Sequence, residues 1–388
     1  MSKPPVVFIA GERQHAGKTV TSLGIISALC NHIDPADIGY FKPVGQELVE
    51  LPNGERIDKD VRIVQEFTDL DMPDLGALSP VRIADGVTRA YIASNNPKER
   101  TAAFERTIHQ TMEHLSSKRL IIAEGTGHPG VGSVIGLSNA RVANILNARI
   151  LYLVGGGIGR TLDELEVDLS YFAHSHNHVA GVLFNKVRPS KVDMMREVIN
   201  EPVLERIFPA WNPPLNIFGY MPLVKYLNNP SMKLILDSFT SYRTLAGTCE
   251  DAWHRPCRKI KIISQGSDVF VPEAHLRPRD IAVIGAGSHT RLKRIIDFNN
   301  TLPDEKLGGI ILTCATDKMP DAAAEDWMGK SGIPTIAVTK DTADTDKTLY
   351  QCFSNTKLQL YDQQKHQQII DLFAENFDAE RFIRAYGL

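Results

Sequence analysis

Val6-Val7-Phe8-Ile9-Ala10-Gly11-Glu12-Arg13-Gln14-His15-Ala16-Gly17-Lys18-Thr19 is the stretch that decides the fold of this chain. Val6 to Ala10 form a short apolar run, which reads as a strand buried on both faces. The run breaks at Gly11. Beyond Gly17-Lys18-Thr19, apolar residues recur at helical spacing at Val20, Leu23, Ile26 and Leu29. A strand, a glycine-bounded loop and a helix N-terminus in that order turn backbone N–H groups onto a polyanion. Five residues separate Gly11 from Gly17, one more than in the usual phosphate loop. Lys18 is placed to neutralise β- and γ-phosphates and the Thr19 hydroxyl to ligate Mg²⁺. Gly11, His15, Ala16, Gly17, Lys18, Thr19 and Val20 are therefore the candidate cofactor-binding residues of the loop.

Further apolar runs at 38–44, 120–125, 150–154, 179–185 and 216–221 read as strands, with helical patterns at 97–115 and 161–172 between them. Most of the runs are continuous instead of alternating, as in strands covered on both sides. The expected fold class is α/β: a P-loop NTPase parallel sheet with helices on both faces. Ligands then gather at the carboxyl ends of the strands. A second βα series follows, with strands at 259–264, 280–284, 308–313 and 333–339. Residues 242–258, helical at first and then polar, look like the junction. The expected organisation is a P-loop domain over 1–240 and a smaller α/β domain over 241–388.

The remaining site candidates lie at or just past strand ends. Lys42, before Pro43, is a second cation beside the loop, suited to a transferring phosphoryl group or an anionic substrate. Asp60 opens a helical pattern and is a candidate Mg²⁺ ligand, with Asp58 as its helper or simply the helix cap. Glu124 follows four small or apolar residues and precedes Gly125, which puts a carboxylate at the mouth of a strand. Thr19, Asp60 and Glu124 form the expected metal set, and Lys18 and Lys42 the catalytic pair. Asn185 offers a donor and an acceptor that match an adenine edge. Gly155-Gly156-Gly157-Ile158-Gly159 lacks the third glycine of a dinucleotide fingerprint and follows the wrong strand. His174, His176 and His178 alternate as if along one strand face, lining an exposed approach. Cys314 reads as a small core residue.

Bulk properties exclude several classes. The 388 residues exceed one typical domain, and 43% hydrophobic residues suffice for sizeable cores. A formal charge of -3 makes no electrostatic case for nucleic acid or anionic membrane. No apolar run approaches the ~18–20 residues of a membrane span. The N-terminus lacks a signal-peptide pattern, and the five cysteines form no C-x-x-C pair. The expected compartment is the reducing cytoplasm.

Gly11-x5-Gly17-Lys18-Thr19, Tyr40-Phe41-Lys42-Pro43-Val44, Asp60, Glu124-Gly125 and Asn185-Lys186-Val187 occur in the order seen in dethiobiotin synthetases. Over residues 1 to 235 the chain resembles that family, whose hallmark is the longer loop. The resemblance implies that Lys18 and Thr19 bind ATP phosphates and Mg²⁺, and that Asp60 and Glu124 complete the metal site. It further implies that Lys42 contacts substrate, that Asn185 reads adenine, and that the protein is a homodimer or larger homo-oligomer. Gly45-Gln46 replaces the family's substrate-side serine, and Thr126-Gly127-His128-Pro129-Gly130 follows Glu124. Residues after 240, including Leu276-Arg277-Pro278-Arg279-Asp280 and Gly308-Gly309-Ile310-Ile311-Leu312-Thr313, are similar to a DRTGG domain. The pairing looks like the N-terminal regulatory half of long phosphate acetyltransferases. The expected function is a Mg-ATP-binding metabolic regulator or sensor with ATPase activity. The alternative is a ligase that phosphorylates a carboxylate or carbamate and closes a C–N bond. An unidentified small molecule is the other expected partner.

Overall fold

β1 (Val6–Gly11) is buried at all six positions, as a strand must be when parallel neighbours and helices cover every side. The computed structural model describes residues 3–211, 213–247, 249–264, 269–316 and 321–388. It divides into two units, Met1–Leu223 with Leu358–Leu388, and Val224–Lys357.

In the first unit, β1 is joined by β2 (Ile38–Phe41), β3 (Leu120–Glu124), β4 (Arg149–Val154), β5 (His178–Val187) and β6 (Asn216–Pro222). Among the described residues these form one six-stranded sheet in the order β6-β5-β4-β1-β3-β2. Every neighbouring pair is parallel. The chain moves from β1 past β3 to β2, returns to β3, and then crosses to the other side of β1. Right-handed crossovers in opposite directions put helices on opposite faces of the sheet. The carboxyl end of β1 is thus the switch point, where a ligand crevice opens. The main helices here are α1 (Lys18–Leu29), α2 (Lys59–Phe67), α3 (Pro97–His114) and α4 (Gly159–His174). β2 stops at Phe41 because Pro43 has no N–H for the ladder. Val44–Gly45 then leave to pair with Val81–Arg82.

The second unit has its own sheet, from β7 (Tyr242–Ala246), β8 (Ile260–Ile262), β9 (Ile281–Gly285), β10 (Gly309–Thr313) and β11 (Thr335–Val338), in the order β7-β11-β10-β9-β8. Its helices α5 (His289–Thr301) and α6 (Ala322–Ser331) contribute to a core on one sheet face with Ile284, Ile310 and Leu312. Leu349 of α7 (Thr342–Ser354) packs on the other with Met232, Trp253 and Val283. The expected helical start at 242 is instead the strand β7, antiparallel to β11. Its polar Tyr242-Arg243-Thr244 face solvent at a sheet edge, where apolar periodicity is weak.

The last 31 residues correct the expected boundary, which assigned all of 241–388 to the second domain. α8 (Gln363–Asn376) and α9 (Ala379–Tyr386) belong to the first unit. Phe373 of α8 lies so close to α1 that a Cβ on Gly24 would fall 2.1 Å from its ring. Phe382 of α9 meets Phe218 of β6 edge-on at 5.4 Å. Two smaller readings also change. His174 ends α4, His176 is a left-handed turn residue and His178 opens β5, so the three do not share a strand face. Cys314 is exposed, at φ 56, just past the end of β10.

Candidate functional site

α1 starts at Gly17, whose φ of 95° suits glycine and whose end has no side-chain cap. Its first-turn N–H groups are therefore left for a ligand, where the helix dipole favours an anion. Gly11 closes β1, and a Cβ there would lie 3.0 Å from that of Ala16. His15 adopts φ 62. Lys18 reaches the Arg13 carbonyl at 3.1 Å and the Gly127 carbonyl at 3.3 Å. Val20 lies half-buried in the first turn of α1.

Thr19, one residue on, points at the two candidate metal acids. Its hydroxyl lies 2.9 Å from Asp60 Oδ1 and 3.0 Å from Glu124 Oε1, and gives its one proton to either. Asp60 is delivered by α2, whose cap is Asp58: the Asp58 carboxylate accepts from Asp60 N at 2.9 Å and from Gln46 N at 2.9 Å. The capping reading of Asp58 is the one that the structure bears out. Glu124 arrives at the end of β3 with its side chain 1% exposed. Lys42, just past β2, donates to Asp60 Oδ2 at 2.6 Å and Glu124 Oε1 at 3.0 Å. Ser22 and Tyr40 donate to Glu124 Oε2 at 2.8 and 2.9 Å.

Charge follows from this packing. Burial pushes the Glu124 carboxyl up, as does Asp60, against the opposing pull of Lys42. Burial also works on Asp60, but Lys42 and the Thr19 hydroxyl outweigh it and hold that acid below its usual range. For Lys42 burial favours the neutral amine, yet Asp60 and Glu124 together raise it and keep it charged. Lys18 is lowered to about 8 by burial and then by Lys42. Asp58 is pushed up to about 7 by burial and by Asp60.

Three oxygen donors, Thr19, Asp60 and Glu124, are hard ligands of the kind Mg²⁺ prefers. Lys42 balances only one of the two carboxylates that it touches, so the cluster has room for positive charge. Mg²⁺ is commonly held by one or two carboxylates together with substrate phosphates. The donor set therefore fits the ion. Among the described residues no group of three or more His, Cys, Asp or Glu side chains stands ready for a metal.

The AAA domain family designated AAA_26 matches residues 6–231. The chain belongs to this family. Its members are dethiobiotin synthetase-like P-loop domains, in keeping with the sheet order and the loop described above. No curated protein matches the chain. Similar solved structures include the CBS and DRTGG domains of the regulatory region of Clostridium perfringens pyrophosphatase, complexed with the activator diadenosine tetraphosphate. That likeness has 14% identity and a TM-score of 0.25, over 42% of this chain and 54% of that one. This chain spans little more than half the length of that structure. The MinD cell division protein of Aquifex aeolicus is similar at 10% identity and TM-score 0.36, over 57% of this chain and 84% of that one. The MinC:MinD complex of the same organism gives 13%, 0.33, 57% and 83%. None of these likenesses bears on activity.

Lys18, Thr19, Lys42, Asp60 and Glu124 thus meet in one place. Asn185 joins them through the loop. Its amide nitrogen donates to the Ala16 carbonyl at 2.8 Å and its oxygen accepts from Lys186 N at 2.9 Å, so it braces the loop. Ser22, Tyr40 and Lys186 were not singled out as site residues. Ser22 lies one turn beyond Lys18 and Thr19 on α1, and Tyr40 two residues before Lys42 in extended chain. Both spacings put side chains on a shared face and were readable once Glu124 was chosen. No helix among the described residues is long and apolar enough to cross a membrane.

Proposed function

We propose that this chain binds Mg·ATP at the 11–19 loop and acts as an ATP-responsive metabolic regulator. In this reading it is related to the N-terminal part of phosphate acetyltransferases, with slow ATP hydrolysis. Lys18 takes the β- and γ-phosphates; Thr19, Asp60 and Glu124 hold Mg²⁺, which supplies charge neutralisation at the phosphates. The observation that carries the reading is the Thr19 hydroxyl, within 3.0 Å of both carboxylates at the start of an uncapped helix. The altered substrate side supports regulation over dethiobiotin synthesis. A Cβ on Gly45 would lie 2.6 Å from the Asp58 carboxylate, so this chain has no room there for a substrate-binding side chain. The resemblance also implies a homodimer or larger assembly, which sedimentation of the full chain measures.

One observation favours ligase chemistry as a second reading. Lys42 is buried, charged and adjacent to the acids, where an ammonium stabilises a transferring phosphoryl group or holds a carboxylate. Calorimetry tests the shared premise: Lys18→Ala should abolish Mg·ATP binding, and unchanged affinity refutes the site. Turnover separates the two readings. ATPase activity that stays at background with a panel of amino and carboxylic acids removes the ligase.

A further inference from the structure

Lys186 lies at the carboxyl end of β5, next to Asn185 and outside the catalytic and metal groups assigned above. Its backbone is left-handed, φ 56, a conformation that costs a lysine energy and persists where the surroundings enforce it. Its ammonium, on a partly buried side chain, donates to the His15 carbonyl at 2.8 Å. His15 is itself left-handed, so two unfavourable backbones face each other across one hydrogen bond. Beside it, Asn185 Nδ2 donates to the Ala16 carbonyl at 2.8 Å. The approach is so close that a Cβ on Gly17 would fall 2.6 Å from that nitrogen.

In a trans peptide the carbonyl of one residue and the N–H of the next point in opposite directions. Holding the His15 and Ala16 carbonyls toward β5 therefore turns the Ala16 and Gly17 N–H groups the other way, away from the two side chains. The Gly17 carbonyl is used within α1, by Thr21 N at 2.9 Å. Lys18 takes the Arg13 carbonyl. Carbonyl oxygens near a bound polyanion repel it, and amides attract it.

We propose that Lys186, with Asn185, is a positioning residue for the nucleotide. The pair clamps the carbonyls of residues 15 and 16 outward and so keeps the loop amides aimed at the phosphates. This rests on the nucleotide reading above and adds to it a loop clamp built from β5. Charge makes Lys186 the stronger half, since a hydrogen bond from an ionised donor is stronger than one between neutral groups. By fixing the amides before the ligand arrives, the clamp spares the complex the entropy of ordering them.

The test uses the full-length chain, with Mg·ATP and Mg·tripolyphosphate as calorimetric probes. Lys186→Met keeps the apolar stem and removes the ammonium. Affinity for both probes should fall by about tenfold or more, the fold-change of a lost charged hydrogen bond, while the melting temperature holds. Lys186→Arg should restore most of the loss. Asn185→Ala combined with Lys186→Met should lose less than the product of the single losses, because one clamp is removed only once. If Lys186→Met melts early, Lys186→Gly, which adopts φ 56 without strain, should show the same loss. Wild-type affinity in either folded variant overturns the clamp and leaves the phosphate site standing. Loss for ATP with tripolyphosphate binding retained assigns Lys186 to base or ribose and also overturns it. A wild-type chain that binds neither probe sinks both readings together.

Discussion

At the scale of single residues, Lys42 keeps two acids together that would otherwise repel. Its ammonium lies within 3.0 Å of both Asp60 and Glu124, and its side chain is 5% exposed. Breaking such a buried pair from one side costs about 3–5 kcal/mol, because the partner's charge is left behind. Lys42→Met should lower stability by about that amount in chelator, read as the urea midpoint. Millimolar Mg²⁺ should recover part of the loss without any nucleotide, since a divalent ion can replace the missing charge. A variant whose midpoint ignores Mg²⁺ would show that the acid pair attracts no cation. Lys18, Thr19, Lys42, Asp60 and Glu124 were legible because strand ends and helix starts leave few places for a charged side chain to go. Asn185 was legible as a site residue but not as a brace. A carboxamide suits an adenine edge and a peptide carbonyl equally, so the contact to the Ala16 carbonyl had no mark in the sequence. Lys186 stood within the quoted Asn185-Lys186-Val187 motif, but its contact to His15 was not legible, because it depends on a left-handed backbone that has no mark in composition or spacing.

Elements are held by close approaches of the kind seen between α1 and α8. Gly24→Ala would gain about 1 kcal/mol in helix propensity, so the sign of its effect depends on Phe373. That ring is 2% exposed and would meet the new methyl at 2.1 Å. Overpacking of a filled core costs about 1–3 kcal/mol, so the expected outcome is net destabilisation of up to about 2 kcal/mol. Equilibrium urea unfolding measures it, and a Gly24→Ala chain more stable than wild type would contradict the packing. On the same helix, His366 stacks on Phe67 of α2 at 4.8 Å, and burial lowers its pKa from 6.5. The folded state then prefers the neutral ring, while the unfolded state takes up a proton as pH falls through 6.5. Stability should therefore decline from about pH 6.5 downward until the folded ring also protonates. His366→Phe should flatten that slope, modestly because the ring is only partly buried; hydrogen exchange in α8 at pH 7 and pH 5 reads it. The parallel strands were legible element by element, since continuous apolar runs leave little choice. The edge strand β7 was not, because three of its residues face water.

The whole molecule consists of two units with separate cores. Trp253 packs in one core of the second unit and Trp327 against the other, while Trp211 belongs to the first. Denaturation should show two transitions, followed by these fluorophores in single-tryptophan variants. Saturating Mg·ATP should move the Trp211 transition upward, by about 2.7 kcal/mol at a hundredfold excess over Kd, and leave the other in place. A single transition that shifts as one would show that the cores unfold together. The two-domain organisation was legible from two successive βα series. The return of Leu358–Leu388 to the first unit was not, because an amphipathic helix carries no record of its destination.

That return also orders events on the ribosome. Residues up to Leu223 emerge with the phosphate loop, both candidate metal acids and all six strands of the sheet. The side of α1 that bears Gly24 nevertheless stays bare while the next 134 residues are translated. Only when α8 appears does the nascent chain cover it. Nucleotide capture by a stalled, truncated polypeptide would accordingly be weaker than by the released one, since its loop opens a helix that is still missing a wall.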